Sequence, residues 1–325
     1  MGGRFVKTIN ALSAGFSYLK GFVAEDVDPS EMPSSLSVEL SAFCNLSCRE
    51  CPSGSESLSR QRGFMDPLLY KKIIQEAGPW LFRLNLYFQG EPMMHPAFFS
   101  FLEKNGSYRL VVSTNGHFLD AGNSEKLARS CLDELTVSLD GMDQATYSDY
   151  RRGGDFDRVI GGIRGTAEAI KQSNSKLKLV LQYLVTRLSE GQIPQAEKLA
   201  AETGAVLRLK SMQVYDMASV SYWMPSKSRF RRYSEEGERY VVKSRLPNNC
   251  ARMWFNPVVT WDGLVVPCCF DKDAGYVMGD LKQNSLREIW NGDEYRKFRK
   301  AVLTGRKKLE MCRNCTSGLE RGIVC

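Results

Sequence analysis

The chain has 325 residues, 43% of them apolar and 25% charged, enough for two domains or for one domain with an appendage. No run of eighteen apolar residues is present and no signal-peptide core opens the chain, so neither a membrane span nor secretion is expected. The net charge of +7 is spread out, with local concentrations at 229–232 and 296–308 and no RNA-binding motif beside them, so a solvated face is expected and no nucleic acid.

Residues 5–23 read as an amphipathic helix, because Val6, Ile9, Leu12, Phe16 and Leu19 recur at three- and four-residue steps. That stripe is expected to pack on the main domain; a membrane surface or a partner protein is the other reading. A linker at 24–35 follows. From residue 36 strands and helices alternate. Strands are expected at 36–40, 83–88, 110–113, 134–139, 178–185 and 206–213, and helices at 66–77, 96–105, 123–130, 156–172 and 190–203. Six strands, each but the last followed by a helix, predict an α/β fold with a parallel sheet, a partial (β/α)6 TIM-like barrel. Chemistry in such barrels sits at the C-terminal ends of the strands. The alternation stops near 216, and 216–245 reads as a crossing segment. Beyond it an Asp-Gly turn at Asp262-Gly263 predicts a hairpin bringing Cys250 and Cys268 together from paired strands, and 286–303 reads as one helix. The expected domains are 1–35, 36–215, 216–245 and 246–325.

Ten cysteines are present, and seven of them fall at metal-type spacings, which fits a reducing cytoplasm. Cys44-x3-Cys48-x2-Cys51 lies in the loop after the first strand. Structural zinc favours paired cysteines with a second pair or histidines, and the only histidines are His95 and His117, both read as loop or packing residues. A disulfide needs an oxidising compartment, and packing alone is a poor reason for three cysteines in eight loop residues. Three thiolates on a [4Fe–4S] cube leave one iron open for a non-protein ligand.

This triad, placed after a strand, resembles the signature of the radical S-adenosylmethionine (radical SAM) superfamily. The resemblance implies a six-unit partial barrel, a cluster chelated by the methionyl group of SAM, and cleavage of SAM to a 5′-deoxyadenosyl radical. The strand ends agree with it. Gln89-Gly90-Glu91-Pro92 is similar to the family's Gly-Gly-Glu-Pro element, with Gln89 replacing the first glycine, which assigns Gly90 and Glu91 to the methionyl amino group. Ser113 with Asn115, and Ser138 with Asp140, stand where the family binds ribose and carboxylate; Gln182 is a further candidate for the same cofactor, and Arg151 or Arg152 for a carboxylate of cofactor or substrate. As residues alone, these tetrapeptides are equally strand-end turns, and Arg151-Arg152 a surface pair.

Cys250, Cys268 and Cys312-x2-Cys315 make four thiolates, a closed site for zinc or for a cluster. With Gly279-Asp280-Leu281 and Glu288-Ile289-Trp290 between them, they are similar to the SPASM/twitch extensions of radical SAM enzymes, which bind auxiliary [4Fe–4S] clusters. The shorter twitch form, with one auxiliary cluster, fits the cysteine count better. Cys269 and Cys325 are left over, and Cys131 is expected to be a buried small residue. Asp271 and Tyr87 are conceivable bases with no further support.

The resemblance implies hydrogen abstraction from a substrate, with oxidation of a small molecule such as an alcohol or aminosugar as the leading outcome and flavodoxin or ferredoxin as electron donor. Two other readings stand: a maturase acting on a peptide or protein side chain, and a metal-stabilised binding protein without catalysis.

Overall fold

The computed structural model describes residues 2–24, 27, 31–104 and 106–315. In chain order the elements are α1 (Gly2–Ala24), β1 (Ser35–Val38), α2 (Pro67–Ala77), β2 (Arg83–Asn85), β3 (Arg109–Thr114), α3 (Ala121–Arg129), β4 (Glu134–Leu139), α4 (Gln144–Tyr150), α5 (Phe156–Gln172), β5 (Lys178–Val185), α6 (Ile193–Thr203) and β6 (Val206–Ser211). Then come α7 (Val220–Trp223), β7 (Tyr233–Glu236), β8 (Arg239–Val242), α8 (Arg252–Phe255), β9 (Val258–Val259), β10 (Leu264–Val266), β11 (Gly279–Asp280), α9 (Leu286–Trp290), α10 (Asp293–Gly305) and α11 (Glu310–Arg313). Aspartates start most of the core helices. Asp66, Asp120, Asp143 and Asp155 each accept a hydrogen bond from a backbone N–H of the first turn of α2, α3, α4 and α5.

The chain divides into two compact units that interleave in sequence. The first comprises 1–43, 58–111 and 246–313, the second 44–57, 112–245 and 314–325. In the first unit β1 is flanked by two parallel partners, β2 (Leu36 opposite Leu84) and β9 (Val38 opposite Val259). β2 is parallel to the start of β3, while β9, β10 and β11 form an antiparallel meander. Leu36, Val38, Leu84, Leu110, Val258 and Val265 are fully buried, and in β1 and β2 they alternate with the buried polar pair Ser37 and Asn85, whose side chains bond each other (3.2 Å). In the second unit β4, β5 and β6 are parallel neighbours, with Ser138 opposite Gln182. α7 packs Val220 and Trp223 with Leu184, Met212, Val214 and Tyr233 in a second apolar cluster.

Several expectations change. α1 does pack on its unit, but with its polar side: Lys7 and Asn10 are buried, while Leu12 and Phe16 are 70% and 69% exposed. The reason is hydrogen bonding. Lys7 Nζ donates to Leu81 O (2.9 Å), and Asn10 exchanges two bonds with the backbone of Met32. Both Ser13 and Ser17 donate to Glu31. The expected helix at 96–105 is a 3-10 turn, Phe98–Leu102, and the expected helix at 286–303 breaks at Asn291-Gly292 into α9 and α10. The crossing segment carries a hairpin, β7–β8, whose turn uses Gly237 at φ +62°. Cys250 is not on a hairpin strand; it precedes α8, and only Cys268 follows β10. Cys131 is exposed, not buried.

Candidate functional site

The cysteine loop belongs to the second unit. Its turns are tight: Cys51 N donates to Cys48 O, and Gly54 N to Cys51 O (2.9 Å). A Cβ on Gly54 would strike the backbone of Cys48, so glycine is needed there for close approach. The loop is tied to the end of α4 by Ser47 N to Arg152 O (3.0 Å) and Arg49 N to Tyr150 O (3.1 Å).

The two residues between the second and third cysteines extend these ties. Arg49 pairs with Asp149 (3.2 Å) and lies over the rings of Tyr222 (5.0 Å) and Trp223 (5.1 Å). Glu50 accepts from Tyr215 N (2.8 Å), Ser219 Oγ (2.6 Å) and Trp223 Nε1 (3.0 Å). Neither residue was singled out from sequence, and no sequence signal marks them beyond their place between cysteines.

The thiols sense one another. Burial pushes the Cys48 thiol up to about 12; the Arg151 guanidinium opposes this, while Cys51, Cys44 and Asp140 add to it. Among the described residues no three His, Cys, Asp or Glu side chains gather as ligands of a single ion. A cubane instead takes each cysteine on a different iron. A mutually interacting set of three thiols, which would be deprotonated on loading, fits that group.

Beside the triad lie the strand-end candidates of the same unit. Asn115 Nδ2 donates to Asn45 Oδ1 (2.8 Å) and approaches Cys44 Sγ at 3.8 Å. Its Oδ1 accepts from His117 N. Asp140, almost fully buried, holds Arg151 Nε at 2.5 Å and accepts from Leu184 N (3.1 Å). Burial works against the charge of Arg151, but Asp140 and then Cys48 hold it firmly protonated. This pair puts a fixed cation beside Cys48. Ser138 and Gln182 face each other across β4 and β5, and Ser113 is half-buried at the end of β3. His117 accepts from Asp155 N at Nε2 (2.9 Å), and burial lowers its pKa. That is the structural role expected of it.

Gly90 and Glu91 belong to the first unit. Gly90 has φ +67°, and a Cβ there would collide with the carbonyl oxygens of Ser41 and Phe43. Glu91 N donates to Phe43 O (2.7 Å), and its buried carboxylate accepts from Met93 N (3.0 Å). Glu39 is a further polar centre that sequence reasoning missed. It is fully buried and pairs with Arg60. It also accepts from Gln89 N (3.3 Å) and Trp261 N (3.1 Å). Arg60 in turn donates to Lys272 O, and Asp273 accepts from Ser59. His95 bonds Met65 O (2.8 Å), a packing role. Asp271 accepts from Gly275 N and Tyr276 N, which makes it a turn former.

In the first unit the C-terminal region contains a buried aromatic cluster around Arg299. Cys268 and Cys312 are buried in the first unit, with Cys250 half-buried. Arg252 donates to Cys269 Sγ at 3.0 Å. Trp254, Trp290 and Tyr295 surround the buried Arg299, whose guanidinium lies 4.6 Å from two of the rings and donates to Trp290 O. Cys315 is buried in the second unit, next to Asn314, which bonds Val214 O and accepts from Tyr233. Cys325 lies outside the described residues.

Comparison with known proteins completes the description. Residues 38–184 match the model of the radical SAM superfamily, and residues 250–316 match SPASM, an iron–sulfur cluster-binding domain. An S-adenosyl-L-methionine-dependent 2-deoxy-scyllo-inosamine dehydrogenase of Niallia circulans is 27% identical over 291 residues, covering 87% of this chain and 93% of its own. The mycofactocin maturase MftC of Mycobacterium tuberculosis is 28% identical over 189 residues, 56% of this chain and 46% of its own. Among solved structures, Streptococcus suis SuiB bound to S-adenosylmethionine aligns with TM-score 0.65 at 15% identity, over 88% of this chain and 73% of SuiB, a likeness of fold.

Proposed function

Because the chain belongs to the radical SAM superfamily and carries a C-terminal SPASM domain, we propose that this radical SAM enzyme abstracts hydrogen from a small polar molecule and completes its oxidation. Cys44, Cys48 and Cys51 hold three irons of the first [4Fe–4S] cluster in this reading. A cluster held there would supply the one electron for reductive cleavage of the SAM sulfonium, and so a 5′-deoxyadenosyl radical able to abstract hydrogen from the substrate. Gly90 offers a backbone carbonyl and Glu91 a carboxylate to the methionyl amino group. Arg151, fixed by Asp140, presents a cation to the methionyl carboxylate. Asn115, Ser113, Ser138 and Gln182 are assigned to ribose hydroxyls and the remaining polar edge of SAM.

Cys250, Cys268, Cys312 and Cys315 are assigned one auxiliary [4Fe–4S] cluster from their spacing. Such a cluster supplies an acceptor for the second electron, which the substrate radical loses together with a proton. The first electron comes from an external one-electron donor of the flavodoxin or ferredoxin class. The cytoplasm is the proposed location.

The observation that carries the oxidative reading is the extent of the likeness to the dehydrogenase, which covers 87% of this chain and 93% of that relative. The likeness to a peptide maturase over 56% of the chain supports side-chain modification of a peptide as the second reading. The experiment is anaerobic turnover with dithionite, SAM and a panel of aminocyclitols, aminosugars and short peptides, following 5′-deoxyadenosine. Substrate-dependent 5′-deoxyadenosine with a ketone product supports oxidation. A product only from peptides transfers the assignment to the second reading. No 5′-deoxyadenosine from cluster-loaded protein under any condition leaves a binding protein.

A further inference from the structure

We propose that the outward face of α1 is a docking surface for an anionic lipid bilayer. α1 is 23 residues long, about 34 Å at 1.5 Å per residue. Phe5, Ile9, Leu12, Phe16, Leu19 and Val23 form one row along that length, and all of them are at least half exposed. The row carries no hydrogen-bonding group. A continuous hydrocarbon strip of this length exceeds what isolated surface residues account for and marks an interaction surface.

The orientation is fixed by specific bonds. Lys7 reaches Leu81 O and Ser107 Oγ, Asn10 brackets Met32, and Ser13 and Ser17 both bond Glu31. Tyr18 stacks edge-on to Trp254 at 5.4 Å. Rolling the helix to hide its apolar row would break all of these and leave Leu81 O, the Met32 backbone and the Glu31 carboxylate without these partners. The apolar row therefore stays outside in the folded unit, available for burial by something else.

Charge decides what that is. α1 contains Arg4, Lys7 and Lys20 and no acidic residue. Of these Lys20 is exposed and Lys7 is turned inward, where burial lowers its pKa and the half-buried Lys104 lies close enough to lower it further. Glu31, an acid among the described residues, is turned inward onto the two serines. Glu25, Asp26 and Asp28 follow the helix in sequence and lie outside the described residues. A second copy would bring another chain of net charge +7 against this one, whereas an anionic bilayer attracts it and needs no polar complement. A helix lying in the headgroup plane buries such a row about 5–10 Å deep. No described helix is long and apolar enough to cross a membrane, so the association is peripheral.

The test uses the full chain carrying its clusters, with vesicles of phosphatidylcholine alone or mixed with phosphatidylglycerol, in sedimentation and light scattering. The wild type is expected to sediment with the phosphatidylglycerol vesicles and to be released by salt. Leu12→Asp with Phe16→Asp lowers that partition by about a hundred-fold or more, the loss of two apolar side chains from lipid. Both residues are exposed, so iron content and the unfolding midpoint of the variant stay those of the wild type. Wild-type protein that remains in the supernatant with both vesicles overturns the proposal. Equal binding to phosphatidylcholine alone overturns the charge argument on which it rests. A dimer that Phe16→Asp separates, in protein that ignores vesicles, assigns the face to a second copy instead.

Discussion

The two cysteine regions are supported by different physics. Around the triad, the chain is held by directional polar contacts: Glu50 to three donors, Arg49 to Asp149, Asn115 to Asn45, and Arg151 to Asp140. In the C-terminal region of the first unit, support comes from volume, with Trp254, Trp290 and Tyr295 packed on one buried guanidinium. Polar ties set angles and fields, which a redox cofactor with a charged ligand needs. Aromatic packing sets position and excludes water, which suits a closed site. The first region should fail by misorientation and the second by loss of stability.

Four substitutions sharpen that contrast. Cys48→Ala should abolish formation of 5′-deoxyadenosine and lower reconstituted iron from about eight to about four per chain, the content of one [4Fe–4S] cluster, with the unfolding midpoint little changed. Iron assay and product analysis check it; unchanged iron would remove the triad from cluster binding. Trp290→Ala should destabilise the protein by about 3–5 kcal/mol through the cavity it leaves, measured by denaturant unfolding, with SAM binding preserved in whatever remains folded. Asp140→Ala leaves Arg151 buried without its carboxylate and should cost about 3 kcal/mol while weakening SAM binding. Calorimetric SAM titration separates the two effects, and unaltered affinity would make the pair structural only. Glu50→Gln keeps shape but loses charge on three hydrogen bonds and should cost about 1 kcal/mol, with a changed electron paramagnetic resonance signature of the reduced first cluster. An unchanged spectrum would mean that Glu50 acts on the loop without acting on the cluster.

What was legible in the sequence was local and periodic. The strand–helix alternation was readable because β1 to β6 carry apolar residues in succession or at alternate positions over short stretches, and most core helices begin at an aspartate that accepts a first-turn N–H. The triad was readable because its three ligands sit within one loop. What the sequence left open depended on partners far along the chain. Periodicity reported that α1 has an apolar stripe; it held no information that Leu81 O and Met32 would bind the opposite face. The Asp-Gly turn predicted a hairpin correctly, but Cys250 lies beyond the first strand, in front of a helical turn that four residues cannot announce. The break at Asn291-Gly292 was hidden by apolar residues that kept helical spacing on both sides of it. Arg49, Glu50, Glu39 and Arg60 were missed because a charged residue in a loop looks the same whether or not it finds a buried partner.

The flanking of β1 on both sides has a consequence for synthesis. Val38 waits for Val259, and Glu39 for Trp261, more than two hundred residues downstream. At ~5–20 residues per second, a ribosome needs roughly 10–45 s to make the missing strand. Through that interval, about two-thirds of the translation time, the nascent chain presents one open edge of β1 just ahead of the three cysteines of the loop, and a chaperone would then have the most to protect.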